Sequence, residues 1–306
     1  MELLLLDDPE RFAVRAVPFL AAERLSSTVI ATQLDGVRRG HRTPGAEDRW
    51  FVVLEGDRVV GAAMHTPPRP PFLPRLAPEV ATFLAARLHE LGRAVDGAVG
   101  EAGATLAFAE EWVAHSGGSH RVAMSERLYR LEHLREPDGV PGEATVATPG
   151  DVELVESWLG LFHDEATPTD PLAPGELAAV ADRMVGSGRC VLWRLGREAV
   201  SLAVVSAAVA GVARVGPVFT PRPLRGHGYA AGATAAATAL ALEHGAADVV
   251  LYTDLANPTS NALYQRLGYR PHQDAAHRVF TPYRYPRSPS DGRSAPLAAP
   301  APRASC

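Results

Sequence analysis

The residues with the most evident chemistry lie in the segment VFTPRPLRGHGYA, residues 218–230. An arginine and two glycines separate a segment with a strand pattern from one with a helix pattern. Unpaired backbone N–H groups and the positive end of a helix dipole bind pyrophosphate at such junctions, and glycine lets phosphates approach the backbone. The R-x-x-G-x-G/A spacing also occurs at residues 58–63 and 183–188, but only the copy at 225–230 leads from a strand through a loop into a long helix. This context favours a phosphorylated coenzyme as its ligand.

Two alternative interpretations of the loop stay open at this point. The spacing Gly226-x-Gly228-x-x-Ala231 also fits a dinucleotide-binding fingerprint, with Asp254 as the ribose-binding acid. The preceding strands have an antiparallel pattern, and too little chain follows for a full doubly wound sheet, so a nucleotide-dependent oxidoreductase is disfavoured. The other alternative is a glycine-rich turn that binds nothing.

A second motif, LYTDLANPTSNALYQRLGY, follows at residues 251–269. Taken together, TP-x-x-x-RGHGYA and NPTSNALYQRLGY resemble the linked motifs of the GNAT acetyltransferase superfamily, and most closely those of a bacterial two-domain subgroup. The resemblance covers about residues 145–282. Two linked motifs are far more specific than either alone, and they imply acetyl-CoA as co-substrate.

The resemblance also implies roles for individual residues. The strand at residues 218–220 would pair with the pantetheine arm, and the loop at residues 225–230 would bind the pyrophosphate. Tyr264 is the implied catalytic residue, because a tyrosine at this position protonates the departing thiolate in many relatives. The implied coenzyme-binding residues are Val218, Phe219, Thr220, Arg225, Gly226, His227, Gly228, Tyr229, Ala230, Asn257 and Asn261.

Several of these residues have an ordinary structural alternative. Asn257 is equally a good helix N-cap, and Tyr264 between two leucines fits core packing. Phe219 is also typical of a core position, and His227 is typical of a solvated loop.

The general base is not identified by the sequence. Many relatives use a glutamate on the strand before the phosphate loop, but residues 211–220 contain no acid. The candidates are His163, Asp164 and Glu165, because the end of the first helix of the domain borders the acceptor pocket in this superfamily. An ordinary loop has the same composition, and a water chain or a neutral amine would also satisfy the chemistry.

The surrounding elements predict an α/β fold with a mixed, mainly antiparallel sheet. Asn257, Pro258 and Gly268 give the last helix clear start and stop signals. In the second half the predicted order is helices at 152–162 and 177–184, strands at 189–195, 199–209 and 212–220, a helix at 229–244, a strand at 248–254, a helix at 258–267 and a closing hairpin at 269–279.

The first half contains a possible copy of the second. RWFVVLEGDRVVGAAM at 49–64 has the strand, glycine turn and strand pattern of residues 189–204. Internal duplication is therefore a hypothesis, with a first half that is a degenerate GNAT-like domain, although any two β-hairpins share this pattern. A linker is predicted at 135–143. The predicted domains are an N-terminal α/β domain at 1–139, a catalytic domain at 140–282 and a disordered tail rich in proline, alanine and serine at 283–306.

Composition excludes several classes of function. All 30 basic residues are arginine, which removes lysine Schiff-base chemistry and the phosphate-loop lysine. The formal net charge of −5 gives no basic field for nucleic acid or anionic lipid. Cys190 and Cys306 form neither a disulfide framework nor a metal cluster, and the apolar stretch 199–213 is short for a membrane span. We expect a cytoplasmic monomer or homodimer without metal.

The predicted function is transfer of acetyl from acetyl-CoA to a primary amine, with a small molecule or a peptide as acceptor. Attack would be direct, in a ternary complex. The alternative is a non-enzymatic acyl-CoA-binding sensor or scaffold, which the missing strand acid favours.

Overall fold

The computed structural model describes residues 1–166 and 175–281, so the predicted tail lies outside the described residues. The first half contains β1 (Glu2–Leu6), α1 (Pro9–Ala22), α2 (Thr28–Arg38), β2 (Arg49–Glu55), β3 (Arg58–His65), β4 (Phe72–Leu73), α3 (Pro78–Glu90), β5 (Gly97–Glu101), α4 (Ala102–Ser116) and β6 (Ser119–Leu131). The second half contains β7 (Glu143–Val146), α5 (Val152–Ala166), α6 (Glu176–Gly186), β8 (Cys190–Leu195), β9 (Glu198–Val205), β10 (Val212–Phe219), α7 (Tyr229–Glu243), β11 (Asp248–Asp254), α8 (Pro258–Arg266) and β12 (Tyr269–Thr281).

Both halves have the same order of elements. Each runs strand, two helices, three strands, helix, strand, helix, strand, and only short 3₁₀ turns are added in the second half. The turn glycines Gly56 and Gly196 both have a positive φ, of 59° and 57°. Glycine adopts this conformation without steric cost, which explains why both hairpins have one. The repeated order supports the duplication hypothesis and confirms the α/β class.

All the strands belong to one 12-stranded sheet, in which the halves exchange their last strands. The strand order is β1-β2-β3-β4-β5-β12-β6-β11-β10-β9-β8-β7. Strand β6 of the first half pairs with β11, and β12 of the second half pairs with β5. Among the strands of residues 1–166 and 175–281, pairing is parallel only for β4 with β5 and for β10 with β11, so the sheet is mixed and mainly antiparallel, as predicted.

The predicted closing hairpin at 269–279 is wrong. This segment is one strand, β12, which pairs with β6 from Tyr269 opposite Leu131 to Thr281 opposite Ser119. In a hairpin, the two paired strands are adjacent in sequence. Here the partner strand of β12 is β6, which belongs to the first half. Strand pairing between distant segments leaves no local signal in the sequence.

Helices cover both faces of the sheet in the second half. On the face that we call the α7 face, the alanines of α7 pack against Val249 and Leu251 of β11. On the opposite face, called the α5 face, Trp158 of α5 packs with Leu202 and Phe219. Helix α7 consists of small residues and lies close to the sheet: a Cβ added at Gly232 would come within 2.8 Å of the Trp193 ring.

Candidate active site

Strands β10 and β11 diverge and open a gap in the sheet. They pair in parallel only from Val212 opposite Asp248 to Val215 opposite Leu251. Beyond this point β10 continues along β9, and β11 continues along β6. The facing edges, residues 216–219 and 252–254, therefore have no strand partner, and we call the space between them the strand gap. Unpaired backbone donors and acceptors along an open edge can bind an extended ligand.

The N-terminus of α7 lies at the end of this gap and has free donors. Its N-cap is Gly228, with φ of 84°, and no side chain caps the helix. By contrast, Asn257 and Glu101 accept backbone hydrogen bonds at the N-termini of α8 and α4. At this junction, no hydrogen bond to a described residue is donated by the backbone N–H groups of Gly226, His227, Gly228, Tyr229 and Ala230. Consecutive free N–H groups at a helix N-terminus can bind an anion, and the loop that the sequence assigns to pyrophosphate lies at this position.

Arginines make this end of α7 electropositive. Arg225 donates from Nε to the carbonyl oxygen of Thr220 at 2.8 Å and from Nη2 to Glu165 at 2.7 Å. Arg222 donates to the same carboxylate at 3.0 Å. Two guanidinium groups thus share one carboxylate, and a positive charge remains beside the free N–H groups.

Glu165 serves to position these arginines. The hydrogen bond from Arg225, followed by that from Arg222, lowers the pKa of the Glu165 carboxyl. A carboxylate whose pKa lies below its ordinary range is a weak proton acceptor. Its arrangement therefore fits loop positioning better than the role of general base.

The segment between the two halves also reaches this loop. A Cβ added at Gly228 would lie 2.9 Å from Val140 Cγ2. The Trp193 indole donates to the carbonyl oxygen of Pro141 at 2.9 Å and fixes the segment there. The sequence does not predict these contacts, because nothing in the composition of a linker indicates where the linker packs. Gly228 is required both for its positive φ and for this close approach.

The strand residues before the loop use their side chains for packing. Phe219 is buried against Trp158, with ring centroids 6.1 Å apart. The Thr220 hydroxyl is hydrogen-bonded to Ser201 at 2.8 Å. Val218 is half-buried and packs in the cluster of the α7 face. The backbone of these residues, rather than their side chains, borders the strand gap.

The asparagines of α8 hold this helix against the sheet. Asn257 is the N-cap and accepts a hydrogen bond from the Ser260 N–H at 3.0 Å. The Asn261 amide donates to the carbonyl oxygens of Asp254 at 2.8 Å and Asn257 at 2.7 Å, and its oxygen accepts from Tyr129 at 2.9 Å. Both amide protons of Asn261 are thus used within the protein. Its direct role is to fix α8 beside the end of β11.

Tyr264 extends from α8 into the core of the α7 face. It is 8% exposed and contacts Tyr269 edge to face, with centroids 6.2 Å apart. Burial raises the pKa of Tyr264 to about 12, and no described residue is hydrogen-bonded to its hydroxyl. The side chain therefore stays protonated at neutral pH and keeps a proton to donate.

A cavity of about 360 Å³ lies between the end of α5 and the loop after β10. It is bounded by Leu161, Asp164, Glu165, Phe219, Pro221, Arg222 and Pro223. The structure thus brings Asp164 and Glu165 to one cavity beside the loop that precedes α7, whereas His163 is half-buried and does not border it.

The corresponding region of the first half is closed. Strand β4 has only two residues, and its pairing with β5 is Phe72 opposite Val99 and Leu73 opposite Gly100. Helix α3 begins with Pro78 and Glu79 instead of a glycine loop, and a carboxylate in the first turn repels an anion. The first half therefore has neither the strand gap nor the glycine loop, although no side chain caps α3.

We expect Gly100→Ala to lower the free energy of unfolding by about 3 kcal/mol or more. Gly100 has φ of 136°, and an added Cβ would collide with the Leu73 carbonyl oxygen. The control is Gly56→Ala, where φ is also positive but no atom lies within 4 Å, so we expect a loss of about 1–2 kcal/mol. Urea unfolding measures both. Equal losses would show that β4 and β5 are not held this closely together.

Comparison with known proteins gives one family match. The model of the "Acetyltransferase (GNAT) family" matches residues 153–269. A comparison with curated protein sequences found no match. Within the described residues, no helix is both long and apolar enough to cross a membrane.

Solved structures share the fold over almost the whole chain. An acetyltransferase of the GNAT family from Colwellia psychrerythraea aligns with a TM-score of 0.58 and 11% identity, over 92% of this chain and 100% of its own. A GCN5-related N-acetyltransferase from Sphaerobacter thermophilus aligns with a TM-score of 0.60 and 16% identity, over 91% and 95%. A tandem GNAT protein from the clavulanic acid biosynthesis pathway aligns with a TM-score of 0.50 and 16% identity, over 90% and 97%. The second half of the chain, at residues 153–269, is therefore an acetyltransferase domain of the GNAT family, and the fold of the chain as a whole is that of GNAT proteins.

Proposed function

We propose that the protein transfers the acetyl group of acetyl-CoA to a primary amine by direct attack in a ternary complex. The observation that carries this proposal is the uncapped N-terminus of α7, with free N–H groups from Gly226 to Ala230, at the end of the strand gap. A diphosphate can accept hydrogen bonds from these N–H groups. An extended pantetheine arm can pair with the open strand edges of the gap.

The arrangement supports each part of the reaction. Arg225 and the α7 N-terminus bind the pyrophosphate. Unpaired backbone N–H groups along the gap can stabilise the oxyanion as the amine attacks the thioester carbonyl. Tyr264 gives a proton to the departing thiolate.

The cavity beside the loop is the proposed acceptor site. Leu161, Phe219 and Pro221 give it apolar walls, and Asp164 adds a carboxylate. A carboxylate attracts an ammonium group, and apolar walls favour a hydrocarbon part. We therefore propose an acceptor that combines a primary amine with an apolar group.

The test is release of CoA thiol from acetyl-CoA in the presence of a panel of amines. We expect amine-dependent release, and an acetylated product of the expected mass, with apolar primary amines favoured over small polar ones. Reactions without amine give the background hydrolysis. Tight CoA binding without turnover of any amine would instead support the acyl-CoA sensor, which the absence of an acid at residues 211–220 favours.

A further inference from the structure

The strand exchange places a residue of the first half close to the strand gap. Strand β6 lies between β11 and β12, and Glu126 on β6 is opposite Asp254 and Ala275. Asp254 is the last residue of β11, whose other edge borders the strand gap. Adjacent strands are about 4.8 Å apart, so Glu126 is one strand from the gap.

Glu126 lies on the face of the sheet opposite Tyr264. Tyr129 of β6 packs in the cluster of the α7 face, and side chains alternate along a strand, so Glu126 and Leu128 belong to the other face. Leu128 there packs in a cluster that Leu25 of the first half also contacts. An acceptor on this face would approach the thioester from the side away from Tyr264.

The polar groups around Glu126 have few partners within the protein. Burial raises the pKa of Tyr252. The charge of Arg214 lowers this pKa and the charge of Glu126 raises it, so the three side chains interact electrostatically. The buried Nη1 of Arg214 has no hydrogen-bond partner among the described residues. Its Nη2 has one long contact, 3.4 Å to the Thr32 hydroxyl of α2. These groups are therefore available to a polar ligand.

Glu126 itself is unpaired within residues 1–166 and 175–281. Asp248, at the other end of β11, shows the usual arrangement, because Arg24 and Arg130 bind its carboxylate at 2.6 and 2.5 Å. Burial raises the pKa of Glu126, and repulsion from Asp254 raises it further. A half-buried carboxylate without a counter-ion loses part of its hydration, and carboxyl groups with a raised pKa are concentrated at functional sites.

We propose that Glu126 is the general base of the acetyl transfer, supplied to the catalytic domain by the exchanged strand of the first half. The acceptor nitrogen forms a bond to the thioester carbon and gives its proton to Glu126, while the carbon–sulfur bond breaks and the thiolate takes a proton from Tyr264. The inference rests on the proposed function. It explains how β10 can lack an acid.

The other carboxylates near the gap are less suited to this role. Asp254 accepts a hydrogen bond from the Ala256 N–H at 2.8 Å, so its Oδ1 is already used within the protein. Glu165 is bound by two arginines. Among the described residues, Asp254 of β11 is the charged group that acts on the Glu126 pKa. Glu126 and Arg214 both act on Tyr252 of β11, and β12 presents Ala275 directly opposite Glu126.

The experiment compares Glu126→Gln, Glu126→Asp and a control, Glu132→Gln, in the full-length protein. Glu132 lies just beyond β6, is exposed and is paired with Arg270 at 3.2 Å. With the best amine of the panel, we expect Glu126→Gln to lower kcat about 100-fold, with partial recovery in Glu126→Asp and no change in the control. The wild-type rate should rise with pH as Glu126 ionises, and this acid limb should be lost in Glu126→Gln.

Two further measurements separate a catalytic role from a structural one. CoA affinity should be unchanged in Glu126→Gln. Because a raised carboxyl pKa means that the folded state binds the proton more tightly than the unfolded state, stability falls as pH rises through this range. The Gln variant should therefore have a higher Tm than the wild type at pH 8, and the difference should shrink at pH 5.

Each outcome decides the question. An unchanged kcat and acid limb in Glu126→Gln would overturn the assignment and leave the proposed function intact. A loss of activity accompanied by a lower Tm or weaker CoA binding would also overturn it, since that is the behaviour of a structural residue. If the wild-type protein acetylates no amine of the panel, the proposed function fails and the inference fails with it.

Discussion

His227→Glu is expected to weaken CoA binding by about 100-fold or more. His227 is exposed in the loop between Gly226 and Gly228, beside the free N–H groups. A carboxylate there would face the pyrophosphate, and two like charges about 4 Å apart at an effective dielectric constant near 20 repel by about 4 kcal/mol. Each 1.4 kcal/mol changes the dissociation constant tenfold.

His227 is preferable to Gly228 for this test, because φ at Gly228 is positive and Val140 occupies the space where a side chain would go. A substitution there would disturb the fold as well as the ligand. Calorimetric titration with CoA measures the effect, with His227→Gln as the uncharged control of similar size. If the Glu and Gln variants bind CoA equally well, the pyrophosphate does not lie at this loop.

Tyr264→Phe is expected to lower kcat by about 100-fold while CoA affinity stays unchanged. Phenylalanine keeps the edge-to-face packing against Tyr269 and removes only the hydroxyl. If this hydroxyl protonates the thiolate, the alkaline limb of the pH–rate profile should disappear or shift in the variant. Because burial raises the pKa of Tyr264 to about 12, the limb should lie well above neutral pH.

Tyr269→Phe is the matched control for this prediction. The Tyr269 hydroxyl is hydrogen-bonded to Thr238 at 2.6 Å in the same core, so its loss should cost about 1 kcal/mol of stability and leave kcat nearly unchanged. A Tyr264→Phe variant that keeps the wild-type kcat and alkaline limb, under conditions where chemistry limits the rate, would show that Tyr264 is only a core aromatic.

The sequence predicts the glycine loop at residues 225–230 and the helices beside it because their signals are local. Gly228 precedes α7 with a positive φ, and Asn257 caps α8 as its composition predicts. These features depend on residues within one turn of each other, and so does the choice of the copy at 225–230 over the other R-x-x-G-x-G/A matches. Helix caps and glycine turns can therefore be predicted from the sequence without knowledge of the fold.

The strand exchange and its consequences for the site are not predictable in this way. The partner of Tyr269 on β12 is Leu131 of the first half, a contact between segments far apart in sequence. Glu126 consequently had no place in a site assigned from the second half alone. Similarly, the sequence places Glu165 among the possible bases, and only the structure shows that two arginines bind it.

The central claim is tested most directly by a crystal structure of the full-length protein with acetyl-CoA. We expect the pyrophosphate oxygens within hydrogen-bond distance of the backbone N–H groups from Gly226 to Ala230, and the pantetheine arm between the facing edges of β10 and β11. The thioester should lie between Tyr264 on one face of the sheet and Glu126 on the other. A coenzyme bound in the first half, or one whose phosphates do not contact the N-terminus of α7, would contradict the account.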